Sequence, residues 1–141
     1  FMDYFCGYCK KIHPELMQLA EERDDVRVVF LHHPILSESS NILAKMSVAA
    51  SMQGKGMEFH DELFSIQGSI TQKKLDDIIN KIEINRSKLM IDIGKDEVSG
   101  AIELSSFLAK GSGARGTPAI FINEEFVGGY IAPGQLQGLL R

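Results

Sequence analysis

Cys6 and Cys9 are the only cysteines in a chain of 141 residues, and they stand as Cys6-Gly7-Tyr8-Cys9. Structural disulfides in small domains usually come in several pairs and close long loops, whereas C-x-x-C closes a very short one and constrains almost nothing. This spacing suits a bond that is repeatedly made and broken. Behind the pair, Cys9, Ile12, Leu16 and Leu19 recur at i, i+3, i+7 and i+10, one apolar stripe of a helix. Cys9 is then expected against the core and Cys6, ahead of the first full turn, exposed. At a helix start the unpaired N–H groups and the positive dipole end stabilise an anion, so Cys6 should ionise below the roughly 8.5 of a free thiol. This makes Cys6 the nucleophile and Cys9 the resolving thiol. Gly7 and Tyr8, in the first turn, tune how strongly the reduced pair is favoured, each 30 mV or so being worth about 1.4 kcal/mol for a two-electron couple. Pro14 falls inside the same pattern, removes the N–H that would bond to Lys10, and is expected to kink the helix.

Other polar residues admit readings of their own. Cys6, Cys9 and His13 at i, i+3 and i+7 offer three ligands to zinc or copper, but no fourth is evident and exchange chemistry fits better. No metal and no organic cofactor is expected. His32, His33 and His60 read as surface or packing histidines, with His32-His33-Pro34 ending a strand that borders the site. Asp3 reads as the close of a strand, or as a carboxylate near the thiols that assists proton transfer to Cys9. Met46, Met52, Met57 and Phe59 read as core, or in part as the lining of a peptide groove.

The elements that position this chemistry follow from pattern. Phe1 to Phe5 reads as the end of a strand whose beginning has been removed, together with any targeting or oligomerisation segment before it. Val26-Arg27-Val28-Val29-Phe30-Leu31 is a short, nearly continuous apolar run, as for a strand covered on both faces, parallel to the first and reached by a right-handed crossover through the cysteine-bearing helix. From Ser39 to Lys110 the period becomes helical: Ile42, Met46, Ala49 and Ala50; then Phe59, Leu63 and Ile66; then Leu75, Ile78, Ile79 and Ile82. Thr71 is placed as an N-cap, with Ile70 and Leu75 as a hydrophobic staple. Asn85 caps a short fourth helix ending near Gly94, and Asp96 to Lys110 carries a fifth with Val98, Ile102 and Leu108 facing inward. After Gly111-Ser112-Gly113, the run Thr117-Pro118-Ala119-Ile120-Phe121-Ile122, a turn at Asn123-Glu124-Glu125 and Phe126 to Ile131 read as an antiparallel hairpin. Pro118 belongs at the strand's first residue because it cannot donate to a ladder, and its peptide bond is either trans in a plain loop or cis. Pro133 suits the first turn of a helix carrying Leu136, Leu139 and Leu140.

Composition bounds the rest. A hydrophobic fraction of 44% supports one substantial core, and no apolar run approaches the roughly 18 residues of a membrane span. The net charge of −4 arises from intermixed signs, as in Glu21-Glu22-Arg23-Asp24-Asp25, and nothing points to nucleic acid.

Taken together, Cys6-Gly7-Tyr8-Cys9 after a strand, a long helical insertion, Gly116-Thr117-Pro118 before a strand and the Asn123 hairpin resemble the thioredoxin-fold DsbA family of bacterial disulfide-exchange proteins over essentially the whole chain. The resemblance implies an α/β thioredoxin fold, with residues 1–36 and 111–141 as the thioredoxin core and 37–110 as a helical insertion between its βαβ and ββα halves. It implies a cis Pro118 facing Cys6, with the Thr117 backbone pairing with an extended substrate segment. Gly7-Tyr8, Thr117 before the proline, and Phe1-Met2-Asp3 with Lys11-Ile12-His13 resemble DsbC and its relatives. The helical block is similar to ScsC-type and Wolbachia-type DsbA-like isomerases. The implied activity is disulfide isomerisation or reduction on misfolded or disulfide-containing exported proteins in the periplasm, with a membrane thiol reductase as partner. The rivals are a dithiol oxidase of the DsbA type, a periplasmic metal-binding protein and a binding scaffold with an idle motif. The resemblance also implies a homo-oligomer assembled through an upstream segment, this chain alone being a monomer that isomerises poorly.

Overall fold

The computed structural model describes residues 1–132 and 134–140. Helix α1 (Gly7–Glu22) follows directly on Cys6. A helical block comes next: α2 (Glu38–Ser51), α3 (Gly56–Ser65), α4 (Gln72–Lys81), α5 (Arg86–Ile93) and α6 (Asp96–Gly111). The chain then forms the antiparallel pair β1 (Ile120–Ile122) and β2 (Glu125–Gly128) and a short α7 (Gln135–Leu139). The reading of Pro133 as the first turn of that helix lies outside the described residues.

The expected parallel pairing of the first two strands contracts to a single bridge between Met2 and His32. Met2 N–H donates to the Leu31 carbonyl at 2.9 Å and His33 N–H to the Met2 carbonyl at 2.8 Å. Beyond Met2 the backbone turns, with Cys6 N–H closing onto the Asp3 carbonyl at 3.0 Å, so the first segment leaves the ladder before a strand can extend. Nor is Val26 to Leu31 covered on both faces, since Val29 is 58% exposed. On its other edge Phe1 exchanges two backbone hydrogen bonds with Ala119, at 2.8 and 3.0 Å. The chain segment leading to Cys6 therefore lies between residues 31–33 and the start of the hairpin.

In the hairpin Ile122 pairs with Glu125, so the turn is Asn123-Glu124, one residue shorter than expected, and β2 ends at Gly128 rather than Ile131. Asn123 takes φ 56°, a left-handed conformation that asparagine tolerates better than most residues.

The caps fall where the side chains require. Ser37, Thr71 and Asn85 accept from the N–H three residues on, at the starts of α2, α4 and α5. Ile70 and Leu75 pack on the same buried cluster, as a staple would. Helix α1 continues through Pro14.

Some expected core positions are surface positions. Helix α6 buries Val98, Ile102, Ser105 and Ala109, while Leu108 is 47% exposed: the steps of three and four that begin at Val98 arrive at Ala109, and Leu108 is turned a full residue away. In α2 the inward residue is Leu43, not Ile42, and Met52, Met57 and Leu139 are also exposed, whereas Met46 and Phe59 are buried.

Helix α1 is held from two sides. Cys6 and Cys9 join Met2, Tyr4, Phe59, Leu89 and the inner faces of α2 and α4 in one apolar cluster. Ile12 and Leu19, with Leu16 against them, join Ile131 and Leu136 and the hairpin in another. The stripe that sequence periodicity draws as one face is thus divided, its cysteine end belonging to the helical block.

Candidate active site

Cys6 is the N-cap of α1: its Sγ accepts from the Cys9 backbone N–H at 3.2 Å. The Thr117 carbonyl, 111 residues along the chain, lies 3.4 Å from the same sulfur and accepts from its S–H. The peptide bond from Thr117 to Pro118 is cis. Cys6 is consequently buried, with 7% of its surface exposed against 3% for Cys9, and the expectation of an exposed thiol at the helix start is corrected. The cause is tertiary, because the loop laid over the helix start comes from the far end of the sequence. What separates the two thiols is their electrostatic position.

That difference is large. Cys6 is brought down from an ordinary 9.0 to about 6, first by a hydrogen bond from the Cys9 thiol, then by the Thr117 side chain and the Cys9 and Tyr8 backbone N–H groups; burial opposes the shift. Cys9 is pushed up, first because its proton is held against the Cys6 sulfur and then by burial. A single proton is shared between the pair, and Cys6 is the sulfur that carries charge near neutrality. On ionisation Cys6 no longer has a proton to donate to the Thr117 carbonyl, which frees that acceptor.

Beside Cys6 lies an open groove of about 440 Å³, whose lining includes Tyr8, Arg115, Thr117, Pro118, Phe126 and Tyr130. Tyr8 and Tyr130 pack with ring centres 4.8 Å apart and planes tilted by 42°, and Lys11 Nζ sits 5.4 Å from the centre of the Tyr130 ring. The structure thus brings Cys6, Cys9, Tyr8, Thr117 and Pro118 together, with Gly7 in the first turn of α1. Sequence reading missed Arg115, Phe126 and Tyr130 because it treated them as hairpin and loop residues. The available signal was an arginine just before Gly116-Thr117-Pro118 and two aromatics after the Asn123 turn.

Asp3 serves as a clamp. Its carboxylate is 2% exposed, one oxygen accepting from Phe5 N–H at 2.9 Å and the other from Ile35 and Leu36 N–H at 3.0 Å each. These bonds fix the turn into Cys6 against the loop before α2, while the Asp3 backbone N–H faces the Cys9 sulfur. The reading of this carboxylate as a proton acceptor for Cys9 is replaced by a structural one, since its oxygens are engaged elsewhere.

The histidines pack. His60 hydrogen-bonds to the Tyr4 hydroxyl at 2.8 Å and is lowered to about 3 by burial; His32, partly buried against Tyr4, is lowered to about 4 by the same cause. His33 meets the Ser106 hydroxyl at 3.2 Å, and the His32 carbonyl accepts from Ser105, so both tie their segment to α6. His13 Nε2 lies 2.9 Å from the Asp61 carboxylate and its ring contacts those of His60 and Phe64. Among the described residues no group of three or more histidine, cysteine or acidic side chains is placed to hold a metal ion. Among them, too, no helix is long and apolar enough to cross a membrane.

A paired dithiol at a helix N-terminus, with one sulfur ionising near neutrality beneath a cis-proline loop, defines a thioredoxin-fold thiol–disulfide oxidoreductase. More particularly, the chain belongs to the DSBA-like thioredoxin domain family, whose model matches residues 1–141. A thioredoxin-like oxidoreductase from Silicibacter pomeroyi DSS-3 superimposes with TM-score 0.89 at 32% identity, over 98% of this chain and 80% of that one. The thiol-disulfide exchange protein alpha-DsbA2 from Wolbachia pipientis gives 0.88 at 27% identity, over 99% and 76%. The catalytic domain of ScsC from Proteus mirabilis shares the fold, with TM-score 0.86 at 23% identity over 99% and 77%. A Na(+)/H(+) antiporter, NhaA 3 of Salinispora tropica, is 25% identical over 125 residues, 87% of this chain; the chain spans only 19% of that protein's length.

Proposed function

We propose that this domain exchanges disulfides in exported proteins of the bacterial periplasm, acting as a disulfide isomerase and reductase. The observation that carries the reading is the Cys6 sulfur, held at about 6 by Cys9 and the helix start and bordered by an open groove. Ionised Cys6 attacks one sulfur of a substrate disulfide; a Cys6–substrate bond forms, the substrate S–S bond breaks, and the other substrate sulfur leaves as a thiolate. In isomerisation a substrate thiolate attacks the mixed disulfide, forms a new substrate disulfide and returns Cys6 as thiolate. In reduction Cys9 loses its proton and attacks Cys6, leaving the substrate as a dithiol and the enzyme as the Cys6–Cys9 disulfide, which a membrane thiol reductase then returns to the dithiol. Gly7 and Tyr8 set the poise of that pair. The Thr117 carbonyl, released when Cys6 ionises, accepts an N–H from an extended substrate segment lying along Pro118. No metal or organic cofactor enters these steps.

The likeness to the Wolbachia thiol-disulfide exchange protein supports disulfide exchange, and the choice of isomerase rests on the resemblance of Gly7-Tyr8 and Thr117 to DsbC and its relatives. One observation favours a second reading, a dithiol oxidase: a low Cys6 pKa stabilises the reduced enzyme and so makes its disulfide more oxidising. Refolding of scrambled ribonuclease, run beside oxidation of reduced ribonuclease, separates them. A domain that reduces or reshuffles the disulfides of the scrambled protein when supplied reduced supports the reading, and one that only oxidises the reduced protein overturns it. Cys9→Ala is expected to accumulate mixed disulfides with substrate, and Cys6→Ala none.

A further inference from the structure

We propose that the groove beside Cys6 discriminates among substrate cysteines by their neighbours, favouring a cysteine flanked by a large apolar or aromatic residue and a carboxylate. The proposal rests on the exchange activity argued above and adds the substrate class. Its walls are aromatic: Tyr8 and Phe126, 58% and 49% exposed, stand with Tyr130 around a floor made by the Thr117 and Pro118 backbone. Large rings left in water beside a reactive sulfur offer apolar area that a substrate side chain would cover.

Among the described residues that line the groove, the charged one is Arg115. Arg115 lines the groove and is exposed; within the described residues the arginines held in ion pairs are Arg23 and Arg86, not Arg115. Lys11 reaches over the outer ring of the Tyr8–Tyr130 pair. Glu15, one turn along α1 from Lys11, is turned away to accept the Gly134 N–H at 3.0 Å. A domain with net charge −4 thus presents cations at the mouth of its groove, and an acidic residue beside the target cysteine would meet Arg115.

The test uses the reduced protein and short peptide disulfides with Glu, Lys, Phe or Gly beside the cysteine, and reads the second-order rate of mixed-disulfide formation with Cys9→Ala as background. Ratios within one protein cancel any change in Cys6 reactivity. The Glu peptide is expected to react roughly threefold faster than the Lys peptide at low salt, the scale of an exposed ion pair, with the ratio falling toward one as salt rises. Arg115→Glu should invert the ratio, and Tyr130→Ala should shrink the preference for Phe over Gly. Equal rates for Glu and Lys peptides, or a ratio unmoved by Arg115→Glu, overturn the inference while leaving exchange intact. Failure to react with every peptide and with neutral hydroxyethyl disulfide overturns the activity itself.

Discussion

Cys6 gives the reduced protein a pH signature. Between about 6 and its ordinary 9.0 the folded state has lost a proton that the unfolded chain still holds, so stability rises with pH across that window and is lost as pH falls through about 6. Cys9, shifted upward, keeps its proton in the fold when the unfolded chain releases it, so stability turns down above about 9. Urea midpoints of the reduced protein from pH 5 to 9 should climb, and Cys6→Ser, which retains an N-cap oxygen, should flatten the climb. Thr117→Val deletes one donor to the Cys6 sulfur and should raise the pH at which thiolate absorbance appears; an unchanged midpoint would remove the hydroxyl from the site. Asp3→Ala leaves three backbone N–H groups without their acceptor and should cost about 2–3 kcal/mol by denaturant unfolding, the range for hydrogen bonds to a charged group. The Cys6/Cys9 pair and Thr117-Pro118 were legible because their types and spacing carry their chemistry. The clamp by Asp3 was not, because two of its three partners, Ile35 and Leu36, lie more than 30 residues away.

At the scale of elements, local signals served best where the physics is local. The caps at Thr71 and Asn85 satisfy donors three residues on, so they can be read without knowing the fold. Asn85→Ala should cost about 1 kcal/mol, read as a lowered urea midpoint. Gly56 is different. A Cβ on it would stand 3.1 Å from the Ser51 Cα and closer still to its side chain, so Gly56→Ala should force α2 and α3 apart at a cost of roughly 1–3 kcal/mol, read as a lowered urea midpoint. Leu108 and Ile42 were misplaced for a geometric reason. Periodicity gives the angular width of an apolar stripe but not its centre, and one residue of helix is a rotation of about 100°.

For the molecule as a whole, the helical block does more than decorate the redox half, because Cys6 and Cys9 share their apolar cluster with Phe59 and Leu89. Phe59→Ala should therefore cost about 3–5 kcal/mol, while Leu104→Ala, at a site 59% exposed, should stay within about 0.5 kcal/mol by the same unfolding measurement. The sequence by itself determined the family resemblance, the helix-start placement of Cys6, the order of the helices and the inward setting of Cys9. The resemblance joins short motifs spread along the chain, and each motif, like the other three features, is carried by residues within a few positions of one another. Only the tertiary structure decided that Cys6 is covered by Thr117, that Asp3 clamps rather than relays, that the helix behind the dithiol is divided between two clusters, and that Arg115, Phe126 and Tyr130 line one groove with Tyr8, Thr117 and Pro118. Those are contacts between segments far apart in the chain, and side-chain type and period say which faces are apolar but not which distant backbone they will meet.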